Sequence, residues 1–343
     1  MPVLLRACYP IVYMRQLLKY IFTTCLCLGT VLMVLEVVSR VALEPSLLRL
    51  GNRDWRDTNT YFRGDYVFSQ NLGFEPKIGQ TQQVLGETTD RSFSILVLGD
   101  SVTNRSTFPK LLEGQLNPSD TGRAVRVIPF GIESYNTSQE VEFLRTRILA
   151  EVKPDVVIIQ FTLNDFDYSP VVVRVDDQVA YFNSPREKLL EKYPFLFNHS
   201  SLYRYFRFKN FLTTASIDTQ DWPTKKAIMN QTLSDLQAMM AEAGIPYFFL
   251  IYPYLQDEQP EPEKSLILSL LTAKQIDYLD LLPVLQKRGS LKQWSTVEAG
   301  QIDYIHPNTT IDPVVADAVH EYLSAKINDG VMSGTPVQFE MSL

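Results

Sequence analysis

Two runs of this chain, Ser94-Ile95-Leu96-Val97-Leu98 and Asp155-Val156-Val157-Ile158-Ile159-Gln160-Phe161, are apolar almost without interruption, rich in β-branched residues, and one strand long. A strand with one face in water alternates apolar and polar positions, whereas a strand covered on both faces does not. Such runs demand a sheet with helices on either side, and sheets of that kind are parallel, with a helix-length crossover between strands. The chain from about residue 90 onward supplies the crossovers. Strands are predicted at 94–98, 125–130, 155–161, 246–252 and 276–280, alternating with helices near 107–117, 138–151, 224–243, 261–274 and 312–326. Helix punctuation agrees. Thr137 or Ser138 can cap a helix carrying Glu140, Gly244-Ile245-Pro246 stops the long helix, and Asp312-Pro313 opens the last. No internal repeat or low-complexity tract interrupts the pattern.

A chain of 343 residues, 45% hydrophobic and 21% charged, has ample material for a large core. The net charge of -7 and the lack of any basic run argue against a nucleic-acid surface. Cys8, Cys25 and Cys27 all lie in the N-terminal segment, so the region from about residue 60 onward has neither a disulfide nor a cysteine metal site. That suits the cytosol, and equally an exported protein that does not rely on disulfides.

The N-terminal segment reads as a membrane span. No charge falls between Lys19 and Glu36, and Tyr20 to Val38 as a helix would be about 28 Å long, close to a hydrocarbon core of about 30 Å. Glu36 sits near the far end, within reach of the interface. A cleaved signal peptide is the rival reading, but Val37-Val38-Ser39-Arg40-Val41-Ala42-Leu43 offers no good small-x-small site. Cys25 and Cys27 lack a lipoprotein context. Arg6, Arg15 and Lys19 precede the span and Arg40, Arg49, Arg53 and Arg56 follow it, so the distribution of positive charge does not fix the orientation. The arrangement is consistent with a single-pass protein of a bacterial inner membrane whose large domain lies on the periplasmic or extracytoplasmic side. The expected organisation is an anchor over 1–40, a connector over 41–90 with a hairpin around Gly86, and an α/β domain over 91–330.

Residues 166–222 break the strand–helix rhythm with a stretch rich in Tyr, Phe and Arg, as in Ser201-Leu202-Tyr203-Arg204-Tyr205-Phe206-Arg207. An insertion directly after a catalytic-end strand is well placed for a lid or substrate wall. It equally suits surface helices packing their aromatics inward, or a basic aromatic face on a membrane.

The chemistry gathers at strand ends. In doubly wound sheets, ligands bind beyond the carboxyl ends of the strands. The first strand runs into Gly99-Asp100-Ser101, whose glycine permits a sharp turn and leaves the serine at the mouth of the sheet. A serine hydroxyl becomes a nucleophile only beside a base, and the base needs an orienting partner. The chain has three histidines. His199 lies in the insertion beside Asn198 and Ser200 and reads as a surface or capping residue; His320 reads as a packed or solvated position on the last helix. His306 follows Asp303 at a spacing of three within Asp303-Tyr304-Ile305-His306-Pro307, which makes it the base and Asp303 its partner. A developing oxyanion needs fixed donors. Asn164, in Thr162-Leu163-Asn164-Asp165, would bring a side-chain amide into the crevice, and the loop Phe130-Gly131-Ile132-Glu133-Ser134-Tyr135-Asn136 would bring backbone amides.

From roughly Ser94 to Ser324, with Gly99-Asp100-Ser101, the Gly131–Thr137 loop, Thr162-Leu163-Asn164-Asp165 and Asp303-Tyr304-Ile305-His306-Pro307 in that order, the chain resembles the SGNH hydrolases, the GDSL esterase/lipase family. The resemblance implies a three-layer α/β/α flavodoxin-like fold with a parallel sheet, here preceded by an N-terminal transmembrane helix. It implies a Ser101–His306–Asp303 triad, an oxyanion hole built from the Ser101 amide, a residue of the second motif and Asn164, and neither metal nor cofactor. The anchor and connector look like those of membrane-tethered bacterial members. One position departs from the pattern: where the family has its second-motif glycine this chain has Ser134. Only a backbone N–H is needed there, so Ser134 serves if its φ and ψ are accessible; Gly131 is the other candidate.

The expected activity is hydrolysis of carboxylic esters, acyl or acetyl, on a lipid or an acylated glycan, through an acyl-enzyme. The same machinery could make an O-acyltransferase acting on cell-surface polysaccharide, and a non-catalytic tethered binding protein could retain the fold. The sequons at Asn104, Asn136, Asn198, Asn230 and Asn308 read as chance matches, since a glycan near Ser101 would block substrate. The pairs Asp176-Asp177 and Asp257-Glu258 read as solvated loop charges.

Overall fold

The structure, a computed structural model, describes residues 4–43, 66–69, 72–76, 93–117, 124–167, 170–175, 178–183, 194–206, 222–256, 261–298 and 300–328. The hairpin expected around Gly86, Arg49, Arg53 and Arg56, and the pairs Asp176-Asp177 and Asp257-Glu258 lie outside them. The described residues divide into two compact units, one drawn from Met1–Asn59 and Val172–Asp218, the other from Thr60–Val171 and Thr219–Leu343.

The first unit opens with α1 (Leu4–Val38), which widens into a π-type turn at Ser39–Leu43. Met14–Ala42 has a mean hydropathy of 2.2 and is long and apolar enough to cross a membrane. The apolar side chains Leu17, Phe22, Leu28 and Met33 all stand exposed, whereas Ser39 near the end of the stretch is buried. An apolar surface of that kind is what lipid would cover.

In the second unit, β1 (Tyr66–Ser69) and β2 (Gly73–Pro76) form an antiparallel ribbon. Then come β3 (Phe93–Gly99), α2 (Ser101–Arg105), α3 (Phe108–Leu116), β4 (Val125–Gly131), α4 (Thr137–Phe143) and β5 (Val156–Thr162). The strands β6 (Pro170–Val175) and β7 (Gln178–Asn183) form a second ribbon; from Val172 the chain belongs to the first unit, which holds β7, α5 (Pro194–His199) and the short helix α6 (201–206) before the second unit resumes. The chain ends with α7 (Trp222–Ala243), β8 (Tyr247–Tyr252), α8 (Glu261–Lys274), β9 (Tyr278–Asp280), α9 (Leu281–Gln286), the ribbon β10 (Ser295–Glu298) and β11 (Gln301–Pro307), and α10 (Asp312–Asn328).

The central sheet has the order β4-β3-β5-β8-β9, with every pairing parallel. Counted along the sheet's own strands this is 2-1-3-4-5, the doubly wound flavodoxin-like order. The burial pattern gives its cause. Every residue of β3 and β5 is buried, as strands sandwiched between helix layers must be. Phe93, Ile95 and Val97 pack on one face with Phe108 and Leu112 of α3, Leu281 and Leu285 of α9, and Val315 and Val319 of α10. On the other face, Phe130 of β4 stacks on Phe143 of α4 at 5.1 Å between ring centroids. The fold is a three-layer α/β/α sandwich.

Several local devices differ from the sequence reading. The cap of α4 is Asn136, whose side chain accepts from the Gln139 amide while the Gln139 side chain returns the bond, rather than Thr137 or Ser138. The stretch Leu72–Pro76, expected only as connector, is docked. Phe74 is buried, Tyr135 Oη donates to its carbonyl, Gln139 Nε2 donates to Leu72 O at 2.7 Å, and Arg147 grips Glu75 at 2.8 Å. Gly244 stops α7 with φ +65°, as expected. The ends of the aromatic insertion meet: the Phe166 and Trp222 rings lie 5.9 Å apart, and Lys225 Nζ reaches Asp167 at 3.0 Å. An excursion whose ends are already closed costs the sheet little.

Candidate active site

The three strand ends β3, β4 and β5 come together at the carboxyl edge of the sheet. Gly99 and Gly131 are register partners, and each is glycine for a steric reason. A Cβ on Gly99 would stand 2.6 Å from Gln160 Oε1, and one on Gly131 would stand 2.7 Å from the Asp100 carbonyl oxygen and closer still to the Asn104 amide. Both would push α2 off the sheet. Directly after Gly99, Asp100 caps α2 by accepting from the Val102 amide at 2.8 Å. Ser101 is thus the first residue of a short helix, half-buried at the rim.

His306 reaches the rim from the other end of the chain. Its strand β11 pairs with β10 in a register that jumps, from Ser295 opposite Pro307 to Thr296 opposite Asp303. The extra residues form a bulge, and bulges re-aim side chains. Asp303 stabilises it as an Asx turn, its Oδ1 accepting from the amides of Ile305 at 2.9 Å and His306 at 3.1 Å. Its other oxygen, Oδ2, lies 2.6 Å from His306 Nδ1. His306 Nε2 then lies 2.8 Å from Ser101 Oγ. Hydroxyl, imidazole and carboxylate are in line.

Two polar contacts hold the distant segments in that relation. Asp312, six residues after His306, accepts from Ser106 Oγ at 2.7 Å and from the Thr107 amide at 2.8 Å and hydroxyl at 2.6 Å. Tyr304 O accepts from the Leu255 amide at 2.8 Å, which ties β11 to the segment after β8. The segments carrying His306 and Ser101 are therefore pinned together.

Asn164 follows β5 in a single 3-10 turn, Leu163–Phe166. Its Oδ1 is buried without a hydrogen-bond partner among the described residues. The turn stands on a buried polar network: Thr162 Oγ1 donates to Asp100 Oδ2 at 3.0 Å, the Thr162 amide donates to Asp165 Oδ2 at 3.2 Å, and Thr137 Oγ1 donates to the same oxygen at 3.0 Å. Ser134 has φ +65°, in the left-handed region where glycine is at home. At the position where the resemblance implies a glycine, a serine holds this left-handed backbone.

The charges follow from this arrangement. Burial by itself would raise the Asp303 carboxyl, but hydrogen bonds from the His306 ring and from the His306 and Ile305 amides, with the field of His306, hold it below the ordinary aspartate value. Beneath the site the shifts are opposite. Burial raises Asp100, against its bonds from Val102 and Thr162. Burial and then the field of Asp100 push Asp165 well up, and burial with the fields of Asp165 and Asp100 does the same to Glu140, whose two oxygens have no hydrogen-bond partner among the described residues. Sequence reasoning passed over Asp100, Thr162, Asp165 and Glu140 as site supports. The residues were visible in the motifs, but only burial distinguishes a floor from a turn. Among the described residues, no group of three or more His, Cys, Asp or Glu side chains is arranged to hold a metal ion.

No protein-family model and no curated protein sequence matches the chain. Solved structures do. They include a lipase/acylhydrolase from Enterococcus faecalis, at 14% identity over 68% of this chain and 96% of that one, TM-score 0.41. A catalytic mutant of an acetylxylan esterase from Geobacillus stearothermophilus matches at 13% identity, over 68% of this chain and 94% of that one, TM-score 0.41. The psychrotrophic esterase EstA from Pseudoalteromonas sp. matches at 16% identity, over 69% of this chain and all (100%) of that one, TM-score 0.41. The likeness is one of fold. The fold itself rests on the strand order, and the chemistry on the distances around Ser101.

His199 is exposed at the end of α5 with its ring 4.6 Å from Phe195. His320 is half-buried within α10, its carbonyl accepting from Ser324 Oγ at 2.7 Å.

Proposed function

We propose that the chain is a serine hydrolase of the SGNH class, acting on carboxylic esters and tethered to a membrane by α1. The observation that carries this is the Ser101 Oγ to His306 Nε2 distance of 2.8 Å, with His306 Nδ1 at 2.6 Å from Asp303. Ser101 Oγ attacks the ester carbonyl while His306 Nε2 accepts its proton. Asp303, held ionised, keeps the Nδ1 proton in place and stabilises the imidazolium. The oxyanion is met by the amides of Ser101 and Ser134 and by Asn164 Nδ2. The left-handed backbone of Ser134 supports it over Gly131, whose missing side chain is accounted for by the close approach of α2. His306 returns the proton to the leaving alcohol and then takes one from the water that releases the acid from Ser101.

The anchor and a catalytic unit without cysteine support placement of the reaction at the extracytoplasmic face of a bacterial inner membrane, on an acyl or acetyl ester of a lipid or glycan. Water as the acceptor makes the enzyme a hydrolase; a sugar hydroxyl would make it an O-acyltransferase, and product analysis with an acetyl donor and candidate glycans separates them. Ser101→Ala should lower turnover of short p-nitrophenyl esters by about 10⁶ with the thermal transition preserved. Unchanged turnover ends this reading. A fluorophosphonate probe should label wild type and not the variant, whereas a binding protein with a dead site would label in neither.

A further inference from the structure

The aromatic insertion carries a surface that the catalytic machinery leaves unexplained. In α5 and α6, Phe195 is 71% exposed, Phe206 55% and Leu196 42%. The same compact unit contains α1, and the two are joined through one acidic side chain. Glu36, inside the membrane-crossing stretch Met14–Ala42, accepts from Ser200 Oγ at 2.7 Å, from the Ser201 amide at 2.6 Å and from the Leu202 amide at 3.1 Å. Arg40 Nε and Arg204 Nη2 donate to Ser201 Oγ at 3.4 and 3.0 Å. A carboxylate near the end of an apolar span is costly in hydrocarbon unless it is paired or hydrogen-bonded. Here the insertion supplies the donors, and the first-turn amides of α6 find their acceptor on α1 rather than in water.

The depth of α6 follows. Glu36 precedes the end of the apolar stretch by six residues, about 9 Å of helix. A segment bonded to Glu36 through backbone amides must lie at that level, in the zone where headgroups meet acyl chains. Tyr203 and Tyr205 are residue types that settle there, rings in apolar surroundings and hydroxyls outward. We propose that α5 and α6 are an interfacial membrane platform, clamped to α1 by Glu36, with Phe195, Leu196 and Phe206 inserted among the lipids beside the span. The occupant of this apolar surface is the bilayer. The proposal rests on α1 crossing the membrane and goes beyond the esterase reading, which it neither needs nor tests.

The test uses the full chain with Cys8, Cys25 and Cys27 replaced by serine and a single cysteine carrying an environment-sensitive nitrobenzoxadiazole label, reconstituted in phosphatidylcholine/phosphatidylglycerol vesicles. Labels go at Phe206→Cys and Phe195→Cys, at restored Cys27 within the span, and at Lys287→Cys on the exposed end of α9. The expected result is quenching of the 195 and 206 labels by lipids brominated near the headgroup, with aqueous iodide quenching about tenfold weaker than at 287. Glu36→Ala should then raise iodide access at 206 towards the value at 287, without altering the label at 27. Three results would overturn the platform. Iodide could reach 195 and 206 freely while 27 is quenched by lipid, which leaves the span standing alone. The two labels could be shielded from iodide yet unquenched by bromolipid, which means protein covers the face. Or 27 itself could escape lipid quenching, in which case span and platform fall together.

Discussion

At the residue scale, the site depends on which atoms are held ionised and which backbone angles are held open. Asp303 is kept below its ordinary value by bonds it makes only in the folded chain. A depressed carboxylate contributes stability that is present above its unfolded value and is lost as pH falls through its folded one. Asp303→Asn removes the acceptor that fixes the His306 tautomer, so kcat should fall by about 10⁴ with little change in KM; a loss below tenfold in single-turnover kinetics would speak against that role. Asn164→Ala should cost about 10² to 10³ in kcat if its amide meets the oxyanion. Ser134 and Gly131 part in opposite directions. Ser134→Gly keeps the amide and suits φ +65°, so activity should stay within about twofold. Gly131→Ala places a methyl on the α2 backbone and should destabilise by about 2 kcal/mol, read as a lower midpoint in urea. The three side chains that meet at the rim were legible in the sequence because each stands in a short motif, and the motifs follow one another in a recognisable order. The left-handed serine was not legible, since a residue's φ is imposed by the loop around it.

At the element scale, the catalytic geometry comes from short pieces without much apolar signal. The buried strands were readable from their unbroken apolar runs, and the long helices from their caps and stops. The ribbon of β10 and β11, which carries Asp303 and His306, was not, because Gln301–Pro307 is exposed or half-buried throughout and its bulge leaves no periodic trace. The same holds for α2 and α9, at five and six residues too short for a 3.6-residue period to declare itself. What holds these pieces is Asp312. Asp312→Ala removes the acceptor for Ser106 and Thr107, whose bonds to it are only part-buried, which should cost about 1–2 kcal/mol. It should also lower kcat more than it changes KM, since the His306 loop loses its fixed distance from Ser101. A variant with normal stability and kinetics would show that the two loops keep their relation without it.

At the scale of the whole molecule, Glu140, Asp165 and Asp100 place three carboxyls beneath the crevice, all raised by burial first. A raised carboxyl contributes stability that is fully present below its unfolded value and is lost as pH rises through its folded value. The catalytic unit should therefore soften on the alkaline side. Glu140→Gln, which cannot ionise, should flatten the decline of the thermal midpoint as pH rises above the ordinary glutamate range; a variant as steep as wild type would assign the slope elsewhere. The sequence by itself determined the layered architecture, the membrane-length helix and the motifs that carry Ser101, Asp303 and His306. Hydrophobic pattern and residue chemistry are local properties, and they survive without coordinates. Only the tertiary structure decided that the chain after β11 is pinned to the loop after α2, that Ser134 carries a glycine's backbone, and that the insertion is bonded to α1 through Glu36. Each of those is a contact between segments far apart in the chain, and no local pattern records the partner of a hydrogen bond.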